Sequence, residues 1–194
     1  MKFYKTKSKL NCGPSSFINL IGIKGTKKLE NALSDLGRLK PFYITDWTSF
    51  LIWAERYGKE LEIHLENPDL NEKMFKLMKK HEKLSEAKFN EYKQAAKKRH
   101  LKLKAKYCPL VKSLKNPLKK LNELLNKKYR VVVSIAGLKN GTPHLFVAFK
   151  REKDKYWFID STLGIISLTK NKLIKQWKLN KKQGFGALLV GHKR

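Results

Sequence analysis

From Tyr129 onward the chain stops reading as helix and starts reading as sheet, and that change constrains the fold more than any other feature. Tyr129–Ala136 contains the β-branched run Val131-Val132-Val133 and reads as a buried strand, with Asn140-Gly141 marking a turn beyond it. His144–Lys150 and Tyr156–Asp160 form a predicted hairpin about the polar segment Arg151–Lys155. Leu163–Thr169 is a further strand, a short helix follows from Asn171 through Trp177, and Phe185–Gly191 closes the chain as a last strand. Before Tyr129 the patterning is mostly helical. Helices first and a mostly antiparallel sheet second define an α+β fold rather than the alternating order of a parallel sheet.

The helical part begins at Cys12. Pro14 suits a first turn, Phe17, Leu20 and Ile21 form one apolar stripe, and Gly22 ends it. A second helix starts after Thr26 with Leu29, Leu33 and Leu36 facing inward. A third runs from about Asp46 to Tyr57 with Gly58 as its C′ residue, and Leu61–Glu66 then alternates like a strand. From Asn71 to about Lys106 the sequence is lysine-rich with Met74, Leu77, Leu84, Phe89, Tyr92 and Ala96 at helical spacing, and Ser85 divides it into two helices. The stretch reads either as an amphipathic pair packed on the core or as a dedicated binding element. Asn116-Pro117 starts another helix, carrying Leu118, Leu121, Leu124 and Leu125 and ending near Lys128.

At 194 residues the chain supports one core, so residues 1–194 are expected to form a single domain that includes a helical insertion at about 70–112. Hydrophobic residues make up 41%, which supports folding despite a formal charge of +28 from 44 Lys+Arg against 16 Asp+Glu. That field attracts polyanions, acidic partners or anionic surfaces, or it is simply a solvated lysine surface. The excess is Lys rather than Arg, which disfavours sequence-specific reading of DNA. Two cysteines, Cys12 and Cys108, are too few for a disulfide framework. No signal-peptide h-region opens the chain, and no run approaches the ~18 apolar residues of a membrane span. A cytoplasmic location is expected.

A thiol acts as a nucleophile only as thiolate, and a helix N-terminus or a neighbouring imidazole lowers its pKa. Cys12 has the first by position, although a cysteine there is also what a small buried residue looks like. The hairpin supplies a candidate imidazole. With its turn near Glu152, paired positions sum to about 304, which sets His144 opposite Asp160 on one face, ~5 Å apart at Cβ. Period two groups His144 with Phe146 and Ala148, and Asp160 with Phe158 and Tyr156. His64, His81, His100 and His192 lack metal-ligand spacing to a cysteine, so neither a metal nor a cofactor is expected.

Asn11-Cys12-Gly13-Pro14-Ser15-Ser16, Thr48–Gly58 leading to a strand, Leu124–Ile135, the strand from His144 to Phe149 and the return from Tyr156 to Ser161 resemble, in this order, the double-glycine leader peptidase-like (bacteriocin-processing) group of papain-like cysteine peptidases. Trp177 and Gly186–Val190 match the group's last helix and strand. The resemblance covers about residues 1–66 and 117–194 and implies a papain-like fold with Cys12 as nucleophile, His144 as base and Asp160 as the orienting carboxylate. It also implies a glutamine six residues before the cysteine to complete an oxyanion hole, where this sequence has Thr6. Thr6 through its hydroxyl, or the Cys12 backbone N–H with a donor such as Asn11, are the alternatives; a defective hole is the third.

The expected function is therefore cleavage of a peptide, isopeptide or amide bond through a thioester, with acyl transfer to an amine as a variant. The expected partner is a peptide or protein substrate, to which the net charge adds a preference for acidic residues and nonspecific polyanion binding. The alternative is a catalytically silent papain-like module that binds nucleic acid or an acidic partner through its lysine-rich insertion.

Overall fold

The structure is a computed structural model, and residues 3–6, 12–38, 45–70, 72–138 and 141–193 are described. Its first helices are started by side chains that satisfy their free N–H groups. Helix α1 spans Cys12–Ile21 with Pro14 in its first turn. Thr26 caps α2 (Lys27–Gly37) by accepting from the Leu29 N–H, and Asp46 and Ser49 form a reciprocal capping box on α3 (Trp47–Arg56). Gly58 follows α3 at φ +57°, a left-handed position that glycine takes without strain. Strand β1 covers Glu62–Leu65.

The lysine-rich stretch forms α4 (Glu72–Glu82) and α5 (Glu86–Tyr107), with Ser85 between them as the N-cap of α5. A 3-10 turn at Cys108–Leu110 leads into β2 (Val111–Ser113), and α6 (Pro117–Asn126) starts at the Asn116 cap with proline in its first turn. Then come β3 (Tyr129–Ala136), β4 (Pro143–Glu152), β5 (Lys155–Asp160), β6 (Gly164–Thr169), α7 (Lys170–Lys182, capped by Thr169) and β7 (Leu188–Lys193).

The seven strands form one sheet in the order β2-β1-β7-β3-β4-β5-β6, antiparallel throughout except for the β1–β2 pair. Alternation then divides the core. Val132, Leu145, Val147, Ile159 and Val190 point to the face covered by α1, α2 and α3, whereas Val131, Val133, Phe146, Phe158 and Leu189 point to the face covered by α6 and α7. Helix α1 lies deepest, with Gly13 to Leu20 all buried. The lysine-rich stretch, expected as an insertion, builds a small core of its own from Met74, Phe75, Phe89 and Ala96.

The architecture is the expected α+β, but several local expectations change. Leu36 is 42% exposed rather than inward, because α2 buries Glu30, Leu33, Ser34 and Gly37 instead. Strand β1 does not alternate: Ile63, His64 and Leu65 are all buried, since both faces of that strand are covered. Helix α7 extends to Lys182, and the last strand starts three residues later than expected, at Leu188. Arg151–Lys155 is mostly strand, with only Lys153 and Asp154 turning, and Lys153 sits at φ +54°.

That shift resets the hairpin register. Glu152 pairs with Lys155 and Val147 with Ile159, with an irregularity between Ala148 and Lys150. Continuing the pairing sets Asp160 opposite Phe146, two residues from the expected partner His144. Next to the turn the slip is three, and the irregularity reduces it to two at Asp160; an even slip keeps a side chain on its face, whereas an odd one reverses it. His144 and Asp160 thus remain on one face as diagonal neighbours.

Candidate active site

Cys12 opens α1, half-buried, with the free N–H groups of the first turn behind it, one fewer than usual because Pro14 has none. The helix is fixed to the sheet where β4 begins: the buried Ser16 hydroxyl donates to the Leu145 carbonyl at 3.1 Å. A Cβ on Gly13 would collide with the Thr45 side chain, so the residue after Cys12 must be glycine for the approach to α3 to be this close.

His144 is the second residue of β4. Its Nε2 lies 3.6 Å from Asp160 Oδ2, an ion-pair separation somewhat longer than a hydrogen bond. The imidazole packs edge-on against Phe146 at 4.7 Å between centroids, the neighbour that period two places beside it. Asp160 ends β5 and is 3% exposed. Its Oδ1 accepts from the Thr162 N–H at 2.7 Å, the Thr162 hydroxyl at 2.6 Å and the Leu163 N–H at 3.0 Å. The turn that follows the strand thereby fixes the carboxylate and leaves Oδ2 for the histidine.

The electrostatics follow from this packing. Burial alone would push the Cys12 thiol up, but the interaction with His144, the charges of His144 and Arg38 and the Leu145 backbone N–H together hold it below its ordinary value. Burial would likewise push His144 down, yet Asp160 and Cys12 outweigh it and raise the imidazole to about 10. Desolvation opposes the charge on Asp160 too, and is overcome by His144, Thr162 and Leu163, which hold the carboxyl well below its usual range. The three residues expected from the sequence are therefore neighbours, and their mutual stabilisation favours a thiolate beside an imidazolium.

Thr6 is placed differently from its expected role. Its hydroxyl donates to Glu30 Oε1, and its backbone N–H donates to the Ser161 carbonyl at 2.9 Å. Glu30 is completely buried and also accepts from the Tyr4 hydroxyl at 2.6 Å, while Asn19 pairs with both backbone groups of Tyr4. Thr6 thus helps to fix the N-terminal segment across α1 and α2. Asn11 lies outside the described residues, so of the expected oxyanion donors the Cys12 backbone N–H is the one the described structure leaves in place.

A cleft of about 620 Å³ lies nearby; Leu145, next to His144, lines it, but Cys12, His144 and Asp160 do not. It starts at Thr45 and Leu145 and passes between the start of α3, the ends of β1 and β7, and the insertion, which contributes Met74 and His100 to its wall. His100 ties the insertion to the core: Nδ1 sits 2.8 Å from Asp46 Oδ2, and Nε2 sits 3.0 Å from the Pro68 carbonyl, both side chains being buried. Neither Arg38 beside Cys12 nor this histidine pair was legible in the sequence, since no spacing separates them from the other charged residues. Among the described residues no group of three or more His, Cys, Asp or Glu side chains is arranged to hold a metal ion. No helix among them is long and apolar enough to cross a membrane.

No protein-family model matches the sequence, and no curated protein matches it. Among solved structures the chain is similar to the peptidase domain of Streptococcus ComA, a bifunctional ABC transporter involved in a quorum sensing pathway. The identity is 11% and the TM-score 0.51, and the match covers 100% of this chain and 98% of that chain. At that identity the likeness is one of fold, the papain-like arrangement of helices on a mostly antiparallel sheet.

Proposed function

We propose that the chain is a cysteine peptidase-like thiol hydrolase with Cys12 as nucleophile, His144 as base and Asp160 as the group that orients the imidazole. The observation that carries the reading is the meeting of a helix-starting cysteine with a histidine whose far nitrogen faces a buried, turn-anchored carboxylate. Likeness of fold to a peptidase domain supports it.

In this reading Nε2 faces Asp160, which leaves Nδ1 for the Cys12 sulfur. The thiolate attacks the carbonyl carbon of a peptide or other amide, and the oxyanion that forms is met by the Cys12 backbone N–H at the start of α1. Imidazolium then gives its proton to the leaving amine as the C–N bond breaks, and a thioester remains. Water, deprotonated by His144, releases the acid and restores the thiol. Because the resting pair is already charge-separated, little proton transfer is left for the first step. The cleft beside Leu145 offers room for a peptide segment on one side of the reacting carbonyl.

The pKa directions define the pH window. The raised His144 contributes stability that is complete below its ordinary 6.5 and is lost as pH rises through about 10. Cys12 and Asp160 are depressed, so their contributions are complete above their ordinary values of 9.0 and 3.8 and are lost as pH falls through the lowered folded values. The ion pair is therefore present from the depressed Cys12 value up to about 10.

Alkylation by iodoacetamide as a function of pH, in a Cys108→Ser background, tests the reading. Cys12 is expected to reach its full rate well below pH ~8.5, and His144→Ala is expected to move the profile back up to a free thiol's. A parent profile centred near ~8.5 sinks the proposal.

A further inference from the structure

The positive charge of this protein is unevenly placed. Helices α1, α2 and α3, over one face of the sheet, hold Lys27, Lys28 and Arg56 against Glu30, Asp35 and Glu55 and sum to zero. Helices α6 and α7, which both pack on the opposite face, hold eight lysines and a single acid, Glu123. Helix α7 has six lysines and no acid, because Leu173, Trp177 and Asn180 turn inward and Lys170, Lys172, Lys175, Lys178, Lys181 and Lys182 are all exposed. Among the described residues only Lys181 of these six has an acidic partner, Glu66. Lys115, Lys119, Lys127 and Lys128 add exposed positive charge at α6. Helices α4 and α5 are rich in lysine too, and Lys73, Lys76, Lys83, Lys88, Lys98 and Lys102 are without an acidic partner among the described residues, but four acids are interspersed along these two helices and Lys79, Lys93, Lys97, Lys104 and Lys106 are each paired with a carboxylate, whereas α7 has no acid along its length.

We infer that the α6/α7 face binds the phosphate backbone of a nucleic acid duplex, independently of the Cys12 site. An array of unpaired lysines along a helix of 13 residues, about 20 Å long, faces a polymer that carries one charge per ~1.7 Å of duplex axis. Trp177, the single aromatic residue of the two helices, is buried, so the face offers no platform on which unpaired bases stack. Neither helix contains arginine, the side chain that most often reads base edges, and lysine meets phosphate as a point charge, so the expected contact is mainly with phosphate whatever the sequence. A lipid surface fits less well. Interfacial helices insert an apolar stripe, and here that stripe packs on the sheet, leaving Leu179, 37% exposed, as the one large apolar side chain these helices present among the described residues. A protein partner fits less well again, because stable interfaces are depleted in lysine and centred on aromatic anchors.

The test uses the Cys12→Ala protein, so that its outcome does not depend on the hydrolase reading. Binding of labelled duplexes of unrelated sequence is followed by fluorescence anisotropy across a salt series. The parent is expected to bind them alike. Replacing Lys170, Lys172, Lys175, Lys178 and Lys182 with glutamine is expected to weaken binding at least about tenfold and to reduce the slope of log K against log salt by up to about 4. Replacing Lys76, Lys83, Lys88, Lys98 and Lys102 of the insertion, which are equally exposed, removes the same charge and is expected to change affinity less than about twofold. Circular dichroism and thermal melts check that both variants are folded. The proposal is overturned if the parent does not bind duplex at low salt, or if the insertion variant loses as much affinity as the α7 variant. It is overturned equally if phosphatidylserine vesicles are bound through the same α7 lysines while duplex is not.

Discussion

The two faces of the sheet carry different chemistry by different electrostatic means. On the α1–α3 side the helices are neutral in sum, and the charges that act on Cys12 come from His144 and Arg38, with Asp160 behind the imidazole. On the α6/α7 side the charge is a diffuse field of lysine ammonium groups that meet water. Against a net charge of +28, the charges that lower the Cys12 pKa are those of His144 and Arg38.

Four substitutions break or sharpen that contrast. Asp160→Asn keeps an oxygen for the Thr162 and Leu163 donors and removes the charge behind His144. It is expected to lower turnover of a peptide substrate ~10²–10⁴-fold, and to move the Cys12 alkylation profile to higher pH. An unchanged profile would mean that Asp160 only holds the turn. Next in size is His100→Ala, which leaves Asp46 buried beside a cavity. Chemical denaturation is expected to show a loss of about 3 kcal/mol, with the Cys12 profile in place, since the pair ties the insertion and not the thiol.

Thr6→Val separates two roles by magnitude. If the hydroxyl only supports the buried Glu30, stability falls by about 1–3 kcal/mol and turnover of the folded protein stays within a few-fold. An oxyanion donor would instead lower the rate ~10²–10³-fold with little effect on stability. The smallest effect belongs to the opposite face: the five-glutamine α7 variant is expected to unfold within about 0.5 kcal/mol of the parent, because exposed lysines far from partners contribute little to the fold. A loss well above that in a denaturant titration would show that α7 depends on those side chains.

What could be read from the residues alone varied with the range of the interaction. Helix starts at Thr26, Asp46, Ser85 and Asn116 were legible because a cap is made by neighbours a few residues apart. Strand β3 came out at Tyr129–Ala136 because its β-branched run is unambiguous. The hairpin register was not legible, since Arg151 and Glu152 are polar and yet pair within the ladder, which moved the turn to Lys153-Asp154. His144 and Asp160 still shared a face because the irregularity between Ala148 and Lys150 brings the three-residue error at the turn back to an even two. The bond that Thr6 makes was not legible either: the resemblance places it where a glutamine is implied, and the buried carboxylate that engages its hydroxyl lies 24 residues away, on α2.

By itself the sequence determined the α+β order, the cysteine at a helix start and the histidine and aspartate on one side of a hairpin, because each depends on period, caps or short separations. Tertiary structure alone decided that α1 crosses β4 where it begins, so that Cys12 reaches His144, and that Glu30 claims Thr6. It also decided that lysines spread along the chain gather unpaired on α6 and α7 while many of the insertion's find carboxylates. Contacts of this kind join residues far apart in the chain, and their energy depends on burial and distance, which no local pattern of residues encodes.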